Sequence, residues 1–357
     1  MKRALTITVS VLVGLILLIP LVLWAGAFLS LDHDQSHGSA TAELPVFRPA
    51  LSAASAPELA LIDSAGMRFR ARTAGFGGNR GNVILLHGFP ESSAMDLPMI
   101  PVLAEAGYQV LAFDQRGYSP GARPEALDAY TTDKLAADVF ALADAVGFER
   151  FHLVGHDWGA AVGWLAVFGG SERILSWTAL SIPHLGAYAD AIGSDPDQQE
   201  RSAYVGFFQT PWLPEALFSF NGFSMMRDGV YGEHAPVLVD EYLAIFSEPG
   251  ALTAALNWYR ASGLQAPAEG AALDVRVPTL FVWGNADPVV GQAALEAQRR
   301  HFDGNLREIE LDAGHWLMEE AAQAVTEAVL SHLDAHGEAD ADGAEAPELS
   351  EQPITAP

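Results

Sequence analysis

Gly155-His156-Asp157-Trp158-Gly159 sets an aspartate midway between two glycines, directly after the apolar run Phe151-His152-Leu153-Val154. Glycines two before and two after a residue permit a chain reversal too sharp for Cβ atoms to pass one another. Between a strand and a helix, such a turn lifts its central side chain above the sheet at the helix N-terminus. With an ordinary carboxyl pKa near ~3.9, an aspartate there is already ionised at pH 7 and attacks without help from a base. Its natural target is an sp³ carbon, from which it displaces an epoxide oxygen or a halide and becomes an alkyl ester. A simple helix cap would use the aspartate but would not need the flanking glycines.

Cleaving that ester needs a water and a base. His315, in Asp312-Ala313-Gly314-His315-Trp316, follows an apolar run and has a side-chain pKa suited to general-base work at neutral pH. Asp287, in Trp283-Gly284-Asn285-Ala286-Asp287, follows the run before it and is placed to hold the imidazole tautomer. Asp157, Asp287 and His315 thus occur in the chain order nucleophile, acid, histidine. In His87-Gly88-Phe89-Pro90 the backbone N–H of Phe89, with that of Trp158, is expected to receive the negative charge of the ester-hydrolysis intermediate. Pro90 has no N–H to give. His152, His184, His301, His332 and His336 read as structural.

These loops need strands behind them. Asn82–Leu86, Gln109–Phe113, Phe151–Val154, Leu175–Ser181, Thr279–Trp283 and Arg307–Leu311 are short apolar or β-branched runs. Between them lie Ala-rich amphipathic stretches near Met99–Glu105, at Thr132–Val146, from Gly159 and over Glu319–Leu333. Such alternation predicts a mostly parallel, doubly wound sheet covered on both faces. The core is expected over 58–184 and 264–334. The aromatic-rich stretch 185–263 breaks the rhythm and reads as an inserted helical lid.

Composition limits the partners. With 19 Lys+Arg against 45 Asp+Glu in 357 residues, the formal charge is −26, which repels nucleic acid and anionic lipid. Half the residues are apolar and 18% charged, so a large core can form. Without cysteine there is no disulfide, thiolate nucleophile or Cys-bound metal. After Met1-Lys2-Arg3, the uncharged run from Ala4 to Leu29 is long enough to cross roughly 30 Å of hydrocarbon as a helix. Residues 1–31 therefore read as a membrane anchor or a cleaved signal peptide, and either places the folded part outside the cytoplasm. Residues 32–57 read as a linker, and the acidic stretch 335–357 as a disordered tail.

Five motifs together carry a family resemblance: His87-Gly88-Phe89-Pro90-Glu91, Asp114-Gln115-Arg116-Gly117-Tyr118-Ser119, Gly155-His156-Asp157-Trp158-Gly159, Asn257-Trp258-Tyr259-Arg260 and Gly314-His315-Trp316. From about Leu61 to Leu333 the chain resembles the epoxide hydrolase branch of the α/β-hydrolase superfamily. The resemblance implies an α/β-hydrolase fold with a lid after the sixth strand, and cofactor-free opening of epoxides to vicinal diols. It also implies two lid phenols that protonate the leaving oxygen. Tyr259 matches one of them. The other is expected just before a Phe-Gln pair, where this chain has Phe207; Tyr204, three residues earlier, lies on the same helix face. With Phe89, Trp158, Tyr204 and Phe207 lining the site, the expected substrate is small and apolar, its only co-reactant being water. Haloalkane dehalogenases share the aspartate turn and a tryptophan at the place of Trp158, but many carry a halide-binding asparagine where this chain has Phe89. A non-catalytic binder or sensor on the same fold would have no need of Asp157, Asp287 and His315 together.

Overall fold

A computed structural model describes residues 44–49, 52–169, 172–261 and 275–337. Eight strands form one sheet in the order β1-β2-β4-β3-β5-β6-β7-β8. They are β1 Glu58–Ser64, β2 Met67–Ala74, β3 Asn82–Leu86, β4 Gln109–Phe113, β5 Phe151–His156, β6 Ile174–Leu180, β7 Thr279–Gly284 and β8 Leu306–Leu311. From β4 across to β8 all neighbours are parallel, while β1 and β2 run antiparallel. Every residue of β5, β6 and β7 is buried, so both faces of the centre are covered, as continuous apolar strands require. At the far edge β8 alternates Arg307, Glu308 and Glu310 with apolar residues and is only half-buried, which discourages pairing with another chain.

Six helices support this sheet: α1 Ile100–Glu105, α2 Thr132–Val146, α3 Trp158–Phe168, α10 Gln292–Gln298, α11 Leu317–Glu320 and α12 Ala322–Ala335. α1, α2, α3 and the α11–α12 pair match the stretches read from the sequence to within a few residues, whereas α10 was not expected. α3 can lie close on β5 and β6 because of Gly163, where an added Cβ would come within 2.1 Å of the Trp177 ring.

Two expectations need correction. The linker expected over 32–57 is shorter than that, since its described residues pack on the core. Phe47 N–H donates to Leu61 O at 2.8 Å, Gly75 N–H to Ala54 O at 2.9 Å, and the Ser52 and Thr73 hydroxyls meet at 2.6 Å. The backbone groups of this segment are thus satisfied by the edge strands rather than by water. The pair β1–β2 was not expected from the sequence, because arginines at 68, 70 and 72 alternate with its apolar residues. Arg70 and Arg72 are nevertheless buried, held by ion pairs. Residues 1–31 and 338–357 lie outside the described residues; among those described, no helix is long and apolar enough to cross a membrane.

Between β6 and β7 the chain forms the helical lid: α4 Leu185–Ser194, α5 Pro196–Arg201, α6 Tyr204–Phe208, α7 Leu213–Met225, α8 Pro236–Ser247 and α9 Ala251–Ala261. The backbone leaves the helical region over 220–223, so α7 is kinked. Directed bonds seat the lid on the core. Trp258 donates its indole N–H to Arg116 O at 2.9 Å, and the Tyr231 hydroxyl donates to Pro90 O at 2.6 Å. Glu241 of α8 accepts from Arg70 at 2.6 Å and from Arg72 at 2.6 and 2.7 Å, while Arg70 also pairs with Asp114 at 2.7 Å. Because both guanidinium groups are buried, losing their shared lid partner leaves uncompensated charge. Glu241→Ala should therefore lower the unfolding free energy by about 2 kcal/mol in urea titrations. A loss below about 0.5 kcal/mol would mean that the clamp behaves like a surface ion pair.

Candidate active site

The turn after β5 has the geometry its glycines require. Asp157 sits at φ 50°, ψ −119°, between β5 and α3, in backbone space that an L-residue enters at a cost of about 1–3 kcal/mol. A Cβ at Gly155 would lie 2.5 Å from Gly159 O, and one at Gly159 would lie 2.1 Å from Leu86 O. A Cβ at Gly88 would strike the Asp157 side chain at 2.5 Å, so the loop after β3 presses directly on the carboxylate.

That loop supplies the first partner. Phe89 N–H donates to Asp157 Oδ1 at 2.8 Å. The other oxygen, Oδ2, faces His315 Nε2 at 3.5 Å. The two carboxylate oxygens therefore have different surroundings: Oδ1 is held by a backbone donor and Oδ2 faces the histidine. Burial is the largest influence on the Asp157 carboxyl and would raise its pKa. His315, His156 and the Phe89 N–H outweigh it, so the group stays ionised, below the usual carboxylate range.

Behind Oδ2 the histidine is fixed from two sides. His315 Nδ1 lies 2.9 Å from Asp287 Oδ2, and His156 Nε2 lies 2.8 Å from His315 O. Asp287 accepts at its other oxygen from Val289 N–H at 2.6 Å and Val290 N–H at 3.3 Å. Burial on its own would lower the His315 pKa, but Asp287 and Asp157 together push it up to about 10. Asp157, Asp287 and His315, distant in the chain, are thus brought into one buried line, as the sequence spacing predicts.

The lid brings two phenols near Asp157. Tyr259 of α9 is buried, its ring 4.9 Å from Trp158, 5.4 Å from Phe89 and 6.4 Å from Tyr204. Burial, then the neighbouring phenol and the Asp157 charge, hold Tyr259 well above the ordinary phenol pKa. Tyr204 is raised for the same kinds of reason: burial, then Tyr188, Asp157 and Asp287. Both phenols therefore remain protonated as donors at any physiological pH. Phe207 has a different place from the one expected. Its aromatic neighbours among the described residues are Phe208 and Phe218, whereas Phe208 meets Phe89 at 5.4 Å and Tyr259 at 4.9 Å. On a short helix one residue rotates the side chain by about 100°, which turns Phe208 rather than Phe207 toward Tyr259.

Sequence reasoning missed three further groups. Glu91 Oε2 meets His156 Nδ1 at 3.1 Å, and Tyr242 donates to Glu319 at 3.3 Å. Burial raises Glu91 to about 8 and Glu319 to about 9, so both are neutral acids at pH 7. Glu91 was visible in the motif after Pro90 but gave no sign of its burial. Ser181, at the end of β6, donates to Asp287 Oδ2 and lies 2.8 Å from His315 Nδ1. No sequence signal marked it beyond its place as the last residue of an expected strand. Among the described residues, no group of His, Asp and Glu is arranged to hold a metal ion.

Residues 81–322 match the family described as alpha/beta hydrolase fold. Epoxide hydrolase A of Mycobacterium tuberculosis (strain ATCC 25618 / H37Rv) is 35% identical over 320 residues, 78% of this chain and 98% of that protein. The AB hydrolase superfamily protein YfhM of Bacillus subtilis (strain 168) is 34% identical over 257 residues, 70% of this chain and 89% of its own length. Among solved structures, epoxide hydrolase A from Mycobacterium thermoresistibile superposes with a TM-score of 0.65 at 30% identity, over 78% of this chain and 98% of that one. With the fold, the match across the sheet and lid, and relatives aligned over almost their whole length, this chain belongs to the α/β-hydrolase family, in its epoxide hydrolase-like branch.

Proposed function

We infer that this protein is an epoxide hydrolase that opens its substrate through a covalent ester on Asp157. The observation that carries the reading is the unequal setting of the two Asp157 oxygens, with two protonated phenols near enough to feel the Asp157 charge. Oδ2, which has no backbone donor on it, attacks an epoxide carbon; the C–O bond breaks, and the electron pair goes to the epoxide oxygen. Tyr259 and Tyr204 hold that oxygen and give it a proton, because an alkoxide is a far stronger base than a phenolate. The ester that results keeps Oδ1 as its carbonyl oxygen, beside Phe89 N–H.

Esterification switches the histidine. It removes the Asp157 charge, one of the influences that raise the His315 pKa, so the imidazolium gives up its proton and the phenol can be restored. Neutral His315 then takes a proton from water, and the hydroxide attacks Cγ. Negative charge gathers on Oδ1, where Phe89 N–H, and the Trp158 N–H expected beside it, receive it. Collapse breaks the Cγ–Oδ2 bond, the leaving alkoxide takes the proton from His315, and the new Asp157 carboxyl then gives its own proton to His315, restoring carboxylate and imidazolium. Epoxide and water become diol with no net proton change, so no cofactor enters the balance.

Phe89 and Phe208 pack against Tyr259, and this apolar wall favours small hydrophobic epoxides over charged ones. Phe89 carries no side-chain donor for a departing halide, which supports epoxides over haloalkanes. We propose further that the apolar run Ala4–Leu29 anchors the catalytic domain at a membrane or exports it.

In a single turnover with styrene oxide in ¹⁸O-labelled water, the diol should be unlabelled and the Asp157 peptide heavier by one ¹⁸O. Label in the first diol formed would mean direct attack by water. His315→Gln should lower turnover by roughly 10²–10⁴-fold while the ester builds up on the enzyme, visible as a mass increase in quenched protein. Tyr259→Phe should slow ester formation by roughly 100-fold and leave ester hydrolysis nearly unchanged. Equal slowing of both half-reactions would remove Tyr259 from the acid role.

A further inference from the structure

Asp157 is not the only residue at the catalytic edge of the sheet held in left-handed backbone space. Ser181, directly after β6, has φ 71° and is fully buried. β6 lies beside β5, with Leu180 paired to His156, so Ser181 and Asp157 end adjacent strands in register. Glycine would adopt this backbone without strain. A serine there points to a use for its side chain, and the hydroxyl has one. It donates to Asp287 Oδ2 and lies 2.8 Å from His315 Nδ1, which itself lies 2.9 Å from the same Oδ2.

We propose that Ser181 is a positioning residue for the ester-hydrolysis step, holding Asp287 and His315 in the arrangement in which Nδ1 carries the proton and Nε2 faces the attacking water. The inference rests on the covalent mechanism above. Asp287 accepts four hydrogen bonds: from Val289 and Val290 N–H at Oδ1, and from Ser181 and His315 at Oδ2. With every acceptor direction filled, the carboxylate cannot rotate away from the imidazole plane. The Ser181 hydroxyl also draws charge from Oδ2, which tempers how tightly the acid holds an imidazolium. The other ionisable groups near His315 are Asp157 opposite Nε2, and His156, its ring 5.0 Å away with Glu91 behind it. Glu319 stands near Glu91. Tyr188 and Tyr204 lie near Asp287 and are kept protonated by burial. Among the described residues, Ser181 and Asp287 are the groups that meet Nδ1.

Ser181→Gly removes the hydroxyl and relieves the backbone, and Ser181→Ala removes it with the backbone cost retained. A defect common to both belongs to the hydroxyl. Rapid quench of each variant with styrene oxide, analysed by intact mass, separates ester formation from ester decay. The expected result is formation at the rate of the unaltered enzyme and decay slower by about tenfold, the effect of one hydrogen bond to a charged group. The acid limb of the decay-rate pH profile should move to higher pH, because Asp287, one donor poorer, holds the His315 proton more tightly. A folded Ser181→Gly variant with unchanged decay and an unchanged pH profile would overturn the role of Ser181 alone. Equal slowing of formation and decay would also overturn it, marking a general structural loss. Absence of any ester on the unaltered enzyme would overturn this inference together with the mechanism beneath it.

Discussion

The catalytic arrangement depends on a carboxylate held where the backbone resists being. Asp157 occupies positive φ at the end of the central strand, and three glycines give it the room. Gly155 and Gly159 let the chain fold back on itself, and Gly88 lets the neighbouring loop approach to within a hydrogen bond of Oδ1. The strain is repaid by fixed donors on one oxygen and a charged imidazole near the other. In the mechanism proposed above, a side chain able to rotate freely would lose the distinction between the oxygen that attacks and the oxygen that becomes the carbonyl.

Burial does the rest of the electrostatic work. The same dry surroundings that would push Asp157 toward its neutral form are overcome there by His315 and the backbone donor. At Glu91 and Glu319 the compensation from neighbouring histidines is outweighed by burial, and both are held as neutral acids. Asp157 is thus an ionised carboxylate surrounded by groups that do not repel it.

The lid closes this arrangement from above. Its seat is polar, through Glu241 on Arg70 and Arg72, and its working face is aromatic, through Tyr204, Phe208 and Tyr259. Separating the two functions keeps strong ionic bonds away from the reacting atoms.

The sequence by itself determined the parallel core and the three chemical loops. Continuous apolar runs must be buried on both faces, and paired glycines around an acidic residue leave one kind of turn. Asp157, Asp287 and His315 were legible for that reason, because each follows a strand whose end is fixed by local pattern. Only the tertiary structure decided what lies between the loops. The β1–β2 edge was hidden by arginines whose partners, Asp114 and Glu241, lie far along the chain. Ser181 and Glu91 carry no local signal, since a hydroxyl or a carboxyl acquires its role from what packs against it. Whether Phe207 or Phe208 meets Tyr259 depends on the rotation of one short helix, which is fixed by packing between lid and core and by nothing within five residues of sequence.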